Sequence, residues 1–160
     1  MSFRPAVVAG VFGAAFFLQC YSASLVKSPA WDEPFHIAAS LSYVETGRIV
    51  VNQQHPPLLK ELSGMFLRAA GVRWPSSPQA AAVMNDASLG PVANEVGIGI
   101  IAENGPDRVM FWARLPFLLL GTGFVFVLYL LGRRLVGEAA ALGVVFLYAL
   151  DPNFLAHSSV

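Results

Sequence analysis

PAVVAGVFGAAFFLQCYSASLV, the stretch from Pro5 to Val26, is mostly apolar and contains no charged side chain. A helix of about 20 such residues is long enough to cross the hydrocarbon core of a bilayer, which is about 30 Å thick. Because lipid offers the backbone no hydrogen-bond partner, a run of this kind crosses the membrane as a helix. We therefore expect residues 5–26 to form span 1. Cleavage of this segment as a signal peptide is the alternative.

A second apolar run, Leu115–Leu131, follows the aromatic pair Phe111-Trp112 and precedes the basic pair Arg133-Arg134. Aromatic side chains collect at the membrane interface, and basic side chains hold a helix end on the cytoplasmic side. Both flanks therefore predict that residues 115–131 form span 2.

A third apolar run, Ala139–Leu150, is shorter and is interrupted by Asp151-Pro152. We expect span 3 to cover residues 135–155 and to run outward past this break. The predicted fold is an all-α integral membrane protein with about three transmembrane helices. Its long first loop, residues 27–114, separates the first two spans.

The distribution of basic residues predicts the orientation of the spans. Short segments rich in Lys and Arg stay cytoplasmic, so Arg4 and the Arg133-Arg134 turn belong inside. Residues 27–114 then lie outside. We expect a multi-pass protein of the bacterial inner (plasma) membrane, because the polar segments are short and no luminal retention signal is present.

The composition favours lipid and argues against nucleic acid as a partner. Hydrophobic residues make up 56% of the chain and charged residues 12%, whereas soluble domains contain about 25% charged residues. Ten basic and ten acidic residues cancel, so the chain has no net basic field for nucleic acid. The single cysteine excludes an intramolecular disulfide.

The outer loop opens with a predicted amphipathic helix over residues 32–46. Asp32 is placed to cap it, Glu33 and Pro34 suit its first turn, and Gly47 suits its end. Helical periodicity divides its side chains between two faces. The polar face contains Asp32, Glu33, His36, Ser40 and Tyr43, and the apolar face contains Ile37, Leu41 and Val44.

Pro56-Pro57 predicts the start of a second amphipathic helix, over residues 56–70. Its apolar stripe contains Leu58, Leu59, Leu62, Met65, Phe66 and Ala69, and its polar positions are Lys60, Glu61, Ser63 and Arg68. A helix with these two faces is expected to lie in the membrane interface. The segment from Val72 to Asp107 shows no periodicity and is expected to be irregular.

Three sets of polar residues in this loop are candidates for chemistry. The adjacent carboxylates Asp32 and Glu33 could act as a general base, although a helix cap with favourable dipole charge also explains them. His55 is held extended before two prolines and could bind phosphate or orient a carboxylate. Arg114, at the outer mouth of span 2, suits either an anionic headgroup or interfacial snorkelling.

Two further possibilities involve the remaining histidines. Ionisable groups near a membrane crossing often have functional roles, which draws attention to His157 and Asp151, although Asp151 also suits a helix cap. Glu33 and His36, with His55, offer ligands for a metal-dependent enzyme. No second Glu-x-x-His and no cysteine cluster supports that alternative, so no metal or other cofactor is expected.

The order of these motifs resembles the GT-C glycosyltransferases. More narrowly, it is similar to family 39 and its bacterial relatives, the protein mannosyltransferase and aminoarabinose transferase group. The motifs, in chain order, are an apolar span, Asp32-Glu33, His55-Pro56-Pro57-Leu58, Ala113-Arg114-Leu115-Pro116, a second span, Gly132-Arg133-Arg134-Leu135-Val136-Gly137, and Pro152-Asn153-Phe154-Leu155-Ala156-His157-Ser158.

The resemblance implies transfer of a sugar from a polyprenyl- or dolichyl-phosphate carrier to an acceptor hydroxyl on the non-cytoplasmic side. It also implies residue roles. Asp32 would be the general base and Glu33 would assist it, whereas Arg114, His55 and His157 would serve the donor-phosphate pocket. The acceptor, whether protein, lipid or glycan, is not identified by these motifs.

Members of this group continue for several hundred residues, so residues 1–160 are expected to be the amino-terminal membrane part of a longer enzyme. The alternative is a non-catalytic membrane fragment or assembly partner that keeps only the scaffold. Substitution of Asp32 separates the two, because only the enzyme would lose activity.

Overall fold

The computed structural model describes residues 3–159, without the side chains of Phe3, Ala87 and Pro91; residues 1, 2 and 160 lie outside the described part. All secondary structure over these residues is helical. The helices are α1 (Phe3–Val26), α2 (Glu33–Thr46), α3 (Leu58–Ala69), α4 (Pro78–Val83), α5 (Gly90–Asn104), α6 (Pro106–Leu135), α7 (Glu138–Leu150) and α8 (Pro152–Ser158), with a 3-10 turn at Ala87–Leu89.

Two helices are long and apolar enough to cross a membrane. They are the segments Arg4–Val26 and Pro106–Leu135, and each contains one of the first two predicted spans. In the third predicted span, α7 and α8 meet at an angle of 60°, so together they form a broken span or a re-entrant pair. These findings support an all-α membrane protein.

The break between α7 and α8 has a local cause. Pro152 occupies the first turn of α8, where its missing N–H costs no hydrogen bond. The carboxylate of Asp151 accepts hydrogen bonds from the backbone N–H groups of Asn153 at 2.8 Å and Phe154 at 3.2 Å. The capping interpretation of Asp151 is therefore confirmed.

The chain divides into two compact units. The first contains Met1–Lys27 and Phe117–Val160, and the second contains Ser28–Pro116. In the first unit, the ring of Phe16 stacks on Tyr148 with 5.0 Å between centroids, and the Tyr148 hydroxyl donates to the Gly121 carbonyl at 3.0 Å. Cys20, the only cysteine, is fully buried there.

The second unit is built around α2, which packs against α3 on one side and α5 on another. Two glycines allow these helices to come into backbone contact. A Cβ on Gly64 of α3 would overlap the Ser40 carbonyl oxygen, and one on Gly97 of α5 would overlap that of Pro34. Any larger residue at either position would push its helix away from α2.

This packing corrects the predicted amphipathic character of α2. Every residue from Ile37 to Tyr43 is buried, including Ser40 and Ser42. The helix is covered on most sides because two neighbours pack on it, so the division into a polar and an apolar face is wrong. Its end at Gly47 is as predicted, since this residue takes the left-handed conformation with φ of 65°.

The helix α3 buries part of its polar side and exposes part of its apolar stripe. Lys60, Ser63 and Gly64 face inward and are buried, whereas the apolar Leu58 and Met65 are 64% and 58% exposed. Hydrogen bonds satisfy the inward polar groups; for example, the Ser63 hydroxyl donates to the Ala113 carbonyl at 2.9 Å. The apolar stripe is therefore left open on the surface of this unit.

The expectation that Val72–Asp107 is irregular is wrong, because α4, α5 and the 3-10 turn occupy most of it. Residues of α5 such as Ala93, Val96 and Ile100 are buried in the core of the second unit. Tertiary packing there overrides the weak helical propensity of its glycines. The side chain of Asn104 fastens the end of α5 by two hydrogen bonds to the backbone of Arg73, at 2.8 and 3.0 Å.

Candidate functional site

The candidate site lies in the second unit, where α2 begins. Its buried part is the ion pair between Glu33 and Arg114. Arg114 Nε lies 2.7 Å from Glu33 Oε1, and Arg114 Nη2 lies 2.8 Å from Glu33 Oε2, so the guanidinium holds both oxygens. The side chains are only 1% and 9% exposed, and a pair so completely desolvated depends on this two-point geometry.

Further hydrogen bonds connect this pair to the chain before α2. Glu33 Oε2 accepts from the backbone N–H of Ala30 at 2.9 Å, and Arg114 Nη2 donates to the Ser28 carbonyl at 3.2 Å. The pair therefore fixes the segment that leads into α2 as well as the first turn of the helix. This segment contains Asp32, whose position depends on it.

Asp32 has the opposite surroundings. It occupies the cap position of α2, but its side chain makes no capping hydrogen bond, so that part of the expectation is wrong. Its Oδ2 instead lies 3.5 Å from Nε2 of His36, one helical turn along. The Asp32 side chain is 62% exposed and that of His36 is 33% exposed. The Asp32 carboxylate is therefore accessible to a ligand that approaches the surface of this unit.

The other ring nitrogen of His36 contacts the loop between α2 and α3. Its Nδ1 lies 3.0 Å from the side-chain nitrogen Nδ2 of Asn52. The ring also meets that of His55 edge to face, with 5.5 Å between centroids. His36 therefore connects the open carboxylate of Asp32 to a second histidine.

The loop is held in place by two buried side chains. The Tyr43 hydroxyl donates to the carbonyls of Val51 and Asn52, and the Lys60 ammonium donates to the carbonyls of Asn52 at 2.9 Å and His55 at 3.3 Å. Asn52 has φ of 54°, a left-handed conformation that asparagine tolerates better than most residues. Its own side chain is thereby presented to His36.

Burial affects the protonation of this cluster. Burial has the largest effect on the pKa of His36 and lowers it from its usual 6.5. The Asp32 carboxylate has the second largest effect and raises this pKa. The positive charge of Lys60 and the neighbouring His55 lower the pKa of His36 further. Burial likewise lowers the pKa of Lys60 and raises that of Tyr43.

The five residues predicted from sequence occupy different places. Asp32, Glu33, His55 and Arg114 all belong to the second unit, where Glu33 and Arg114 pair and His55 lies on the exposed surface beside His36. His157 lies near the end of α8 in the first unit and is exposed. The role of His157 at a donor pocket stays a prediction.

The metal-site alternative gains no support from the geometry. Among the described residues, no group of three or more His, Cys, Asp and Glu side chains is arranged to hold a metal ion. Glu33, the proposed carboxylate ligand, directs both oxygens to Arg114 instead.

The sequence motifs did not predict three residues of this site: Asn52, Lys60 and Tyr43. Asn52 offered only a weak signal, as a turn-favouring residue in the segment Val51-Asn52-Gln53. Lys60 stands in a helix whose pattern placed it on the polar side, and burial of a lysine is uncommon. Only the fold reveals that the Lys60 side chain points back to the loop.

No protein-family model, curated protein or solved structure matches this chain.

Proposed function

We propose that this protein is a glycosyltransferase of the GT-C type, which moves a sugar from a polyprenyl- or dolichyl-phosphate carrier to an acceptor hydroxyl. The reaction takes place on the non-cytoplasmic side of a bacterial inner membrane, in a multi-pass protein whose residues 27–114 face outward. Asp32 is its general base. The motif order along the sequence suggests the reaction, and the exposed carboxylate of Asp32 carries the assignment of the base.

The two adjacent carboxylates are suited to different tasks. Asp32 is 62% exposed, so an acceptor can reach it, whereas Glu33 is locked to Arg114 and 9% exposed. A general base must lie within hydrogen-bond reach of the proton that it removes, and the open carboxylate meets this requirement. Glu33 and Arg114 then assist by holding the start of α2 in place.

The reaction balances with Asp32 as the only proton acceptor. The acceptor hydroxyl transfers its proton to the Asp32 carboxylate while its oxygen bonds to the anomeric carbon of the sugar. The bond between that carbon and the phosphate oxygen breaks, and the lipid phosphate leaves with the bonding electrons. Attack from the face opposite the phosphate inverts the anomeric centre.

The donor phosphate requires positive charge or hydrogen-bond donors nearby. His55 is exposed beside His36 and is available for this role. Arg114 is 1% exposed and already holds Glu33, so its contribution to a phosphate site would be through the electrostatic field or after rearrangement. A direct contact between Arg114 and the phosphate stays a prediction.

The test is the Asp32→Asn variant of the full natural protein, expressed in cells that lack the wild-type gene. Because the amide cannot accept the proton, these cells should accumulate a polyprenyl-phosphate sugar and lose one glycan from the outer face of the membrane. Mass spectrometry of lipid extracts and of released glycans detects both changes, whichever sugar is transferred. Glu103→Gln, which neutralises an exposed carboxylate on α5, is the matched control.

Normal donor and glycan levels with Asp32→Asn, at normal protein abundance in the membrane, would contradict the assignment of Asp32. The same result in cells without the gene would favour the non-catalytic membrane partner, since that protein would have no donor to consume.

A further inference from the structure

The geometry around His36 supports a more specific assignment that rests on the proposed function. We infer that His36 is a positioning residue for Asp32, held by Asn52 in the tautomer that carries its proton on Nε2. In this form Nε2–H points to Asp32 Oδ2, so the other carboxylate oxygen is presented to the acceptor hydroxyl.

The tautomer follows from the chemistry of the Asn52 contact. The nitrogen Nδ2 of an amide has hydrogens to donate and no lone pair to offer. Since it lies 3.0 Å from His36 Nδ1, that ring nitrogen must accept the hydrogen bond. A neutral imidazole has one N–H, which is then on Nε2, the nitrogen 3.5 Å from Asp32.

The distance to Asp32 is longer than an ordinary hydrogen bond, but contacts of this kind tighten when a substrate binds. Asp32 has the freedom to close it because most of its side chain is exposed. His36 itself is less free, since Asn52 and the ring of His55 both contact it. The carboxylate therefore moves to the imidazole rather than the reverse.

The amide group of Asn52 is buried, and only its nitrogen has a hydrogen-bond partner among the described residues. The residue is 8% exposed, and its Oδ1 has no hydrogen-bond partner within the described chain. Turning the amide over would bring Oδ1 to His36 Nδ1, an arrangement that is favourable only when this nitrogen carries a proton. The present arrangement therefore belongs to the neutral ring, and acid should favour the other.

The charged and titratable groups facing His36 are Asp32 at the start of α2, His55 on the loop and Lys60 on α3. Burial, together with His55 and Lys60, opposes protonation, whereas Asp32 favours it. A His36 imidazolium formed at low pH would attract the Asp32 carboxylate more strongly than the neutral ring does. The carboxylate oxygens would then accept a proton less readily. Transfer should thus decline on the acid side as His36 gains its second proton.

The first test reads the tautomer directly. The protein in lipid nanodiscs is labelled with 15N only in its histidines, and His36→Gln identifies the His36 signals by their loss. Two-bond proton–nitrogen spectra should show Nε2–H and an unprotonated Nδ1 at neutral pH. A dominant Nδ1–H form, or an equal mixture, would overturn the assignment whatever the activity of the protein.

The Asn52→Asp variant tests the contact while keeping a residue that tolerates a positive φ. A carboxylate beside Nδ1 favours the imidazolium, so the pKa of His36 should rise by about 1 or more. Gln53→Glu is the matched control, because it adds the same charge to an exposed neighbour in the loop. Equal shifts in the two variants would mean that Asn52 acts only through long-range charge, against the inference.

Activity supplies the second readout. In Gln the side-chain nitrogen can replace the Nε2–H of the imidazole, whereas in Asn it reaches only the Nδ1 position. His36→Gln should therefore retain most of the donor turnover, and His36→Asn should reduce it about tenfold or more, the effect of a lost hydrogen bond to a charged group. The part of the acid decline that follows the protonation of His36 should disappear in His36→Gln, which has no second proton to gain.

The outcomes separate this inference from the proposed function. If Asp32→Asn is inactive while the Gln and Asn variants at position 36 behave alike, the general base stands and the positioning role of His36 is wrong. If Asp32→Asn is fully active, the proposed function fails, and the histidine spectra still decide whether Asn52 fixes the tautomer.

Discussion

At the scale of single residues, the beginning of α2 separates two carboxylates that the sequence places side by side. Glu33 is enclosed with Arg114, whereas Asp32 projects toward His36 and solvent. Since the side chains of adjacent helical residues point about 100° apart, one of them can be buried while the other stays open. The Asp-Glu pair therefore combines a structural carboxylate with a chemically available one.

The buried pair predicts a large loss of stability when one partner is neutralised. Glu33→Gln removes the carboxylate charge from the buried pair with Arg114, and neutralising one partner of such a pair typically costs about 3–5 kcal/mol of unfolding free energy. Denaturation in detergent, followed by tryptophan fluorescence, measures this loss. All three tryptophans of residues 1–160, Trp31, Trp74 and Trp112, belong to the Ser28–Pro116 unit, so their fluorescence reports on this unit.

Glu45→Gln is the control, because Glu45 pairs with Arg68 at 3.1 Å on the surface, where the arginine is 60% exposed. Solvent screens that pair, so its loss should cost about 1 kcal/mol or less. Equal losses in the two variants would show that the pair of Glu33 and Arg114 is not desolvated as described.

Motifs predicted part of the site at this scale. The Asp-Glu and His-Pro-Pro segments drew attention to Asp32, Glu33 and His55, since each combines ionisable groups with a helix start. Asn52 and Lys60 were outside these motifs because their roles depend on tertiary structure. The left-handed conformation of Asn52 and the inward orientation of Lys60 depend on contact between the α2–α3 loop and α3. No local sequence pattern predicts that contact.

At the scale of elements, the glycines of α3 and α5 determine how closely these helices approach α2. Within α5, Gly97 and Gly99 differ only in their surroundings. A Cβ on Gly97 would meet the Pro34 backbone, whereas one on Gly99 would have nothing within 4 Å. The contact with Pro34 also lies beside Asp32 and Glu33, so a displaced α5 would disturb the site.

Gly97→Ala should therefore destabilise the Ser28–Pro116 unit by about 3 kcal/mol or more, at the upper end of over-packing costs. Gly99→Ala should stabilise it by about 0.5–1 kcal/mol, because alanine favours the helix and meets no obstacle. Tryptophan fluorescence during denaturation measures both. If both variants are stabilised, the helices do not meet at the backbone.

The elements that the sequence predicted well are those with a strong local signal. Long uncharged runs predicted α1 and α6. Gly47 predicted the end of α2, and Pro56-Pro57 predicted the start of α3. The helix α5 was missed because its start and interior contain Gly90, Pro91, Gly97 and Gly99, residues that weaken a helix in isolation. Contact with α2 supplies the stabilisation that its own composition lacks.

At the scale of the whole molecule, the prediction concerns which side of the membrane each segment faces. The distribution of basic residues predicts that Arg133-Arg134 lies inside and that residues 27–114 lie outside. Ser76→Cys should react with a membrane-impermeant maleimide added to intact cells. Ser76 is exposed and leaves intact the cap of α4, which the Ser77 hydroxyl provides by accepting from Ala80 N–H at 3.1 Å.

Val136→Cys, at an exposed position after the basic pair, should react only after the membrane is permeabilised. The native Cys20 is buried and should contribute no background in either sample. The reverse pattern of labelling would invert the orientation and place Asp32 on the cytoplasmic side, where the proposed reaction does not occur.

The outward stripe of α3 also has a practical consequence for handling the protein. Leu58, Leu59 and Met65 are 64%, 39% and 58% exposed on a unit that lacks the two long apolar helices for most of their length. Removing those helices to obtain a water-soluble fragment would therefore leave a surface that favours self-association. Detergent exchange during purification should be judged by the homogeneity of the intact protein, since a micelle must shield this stripe as well as the spans.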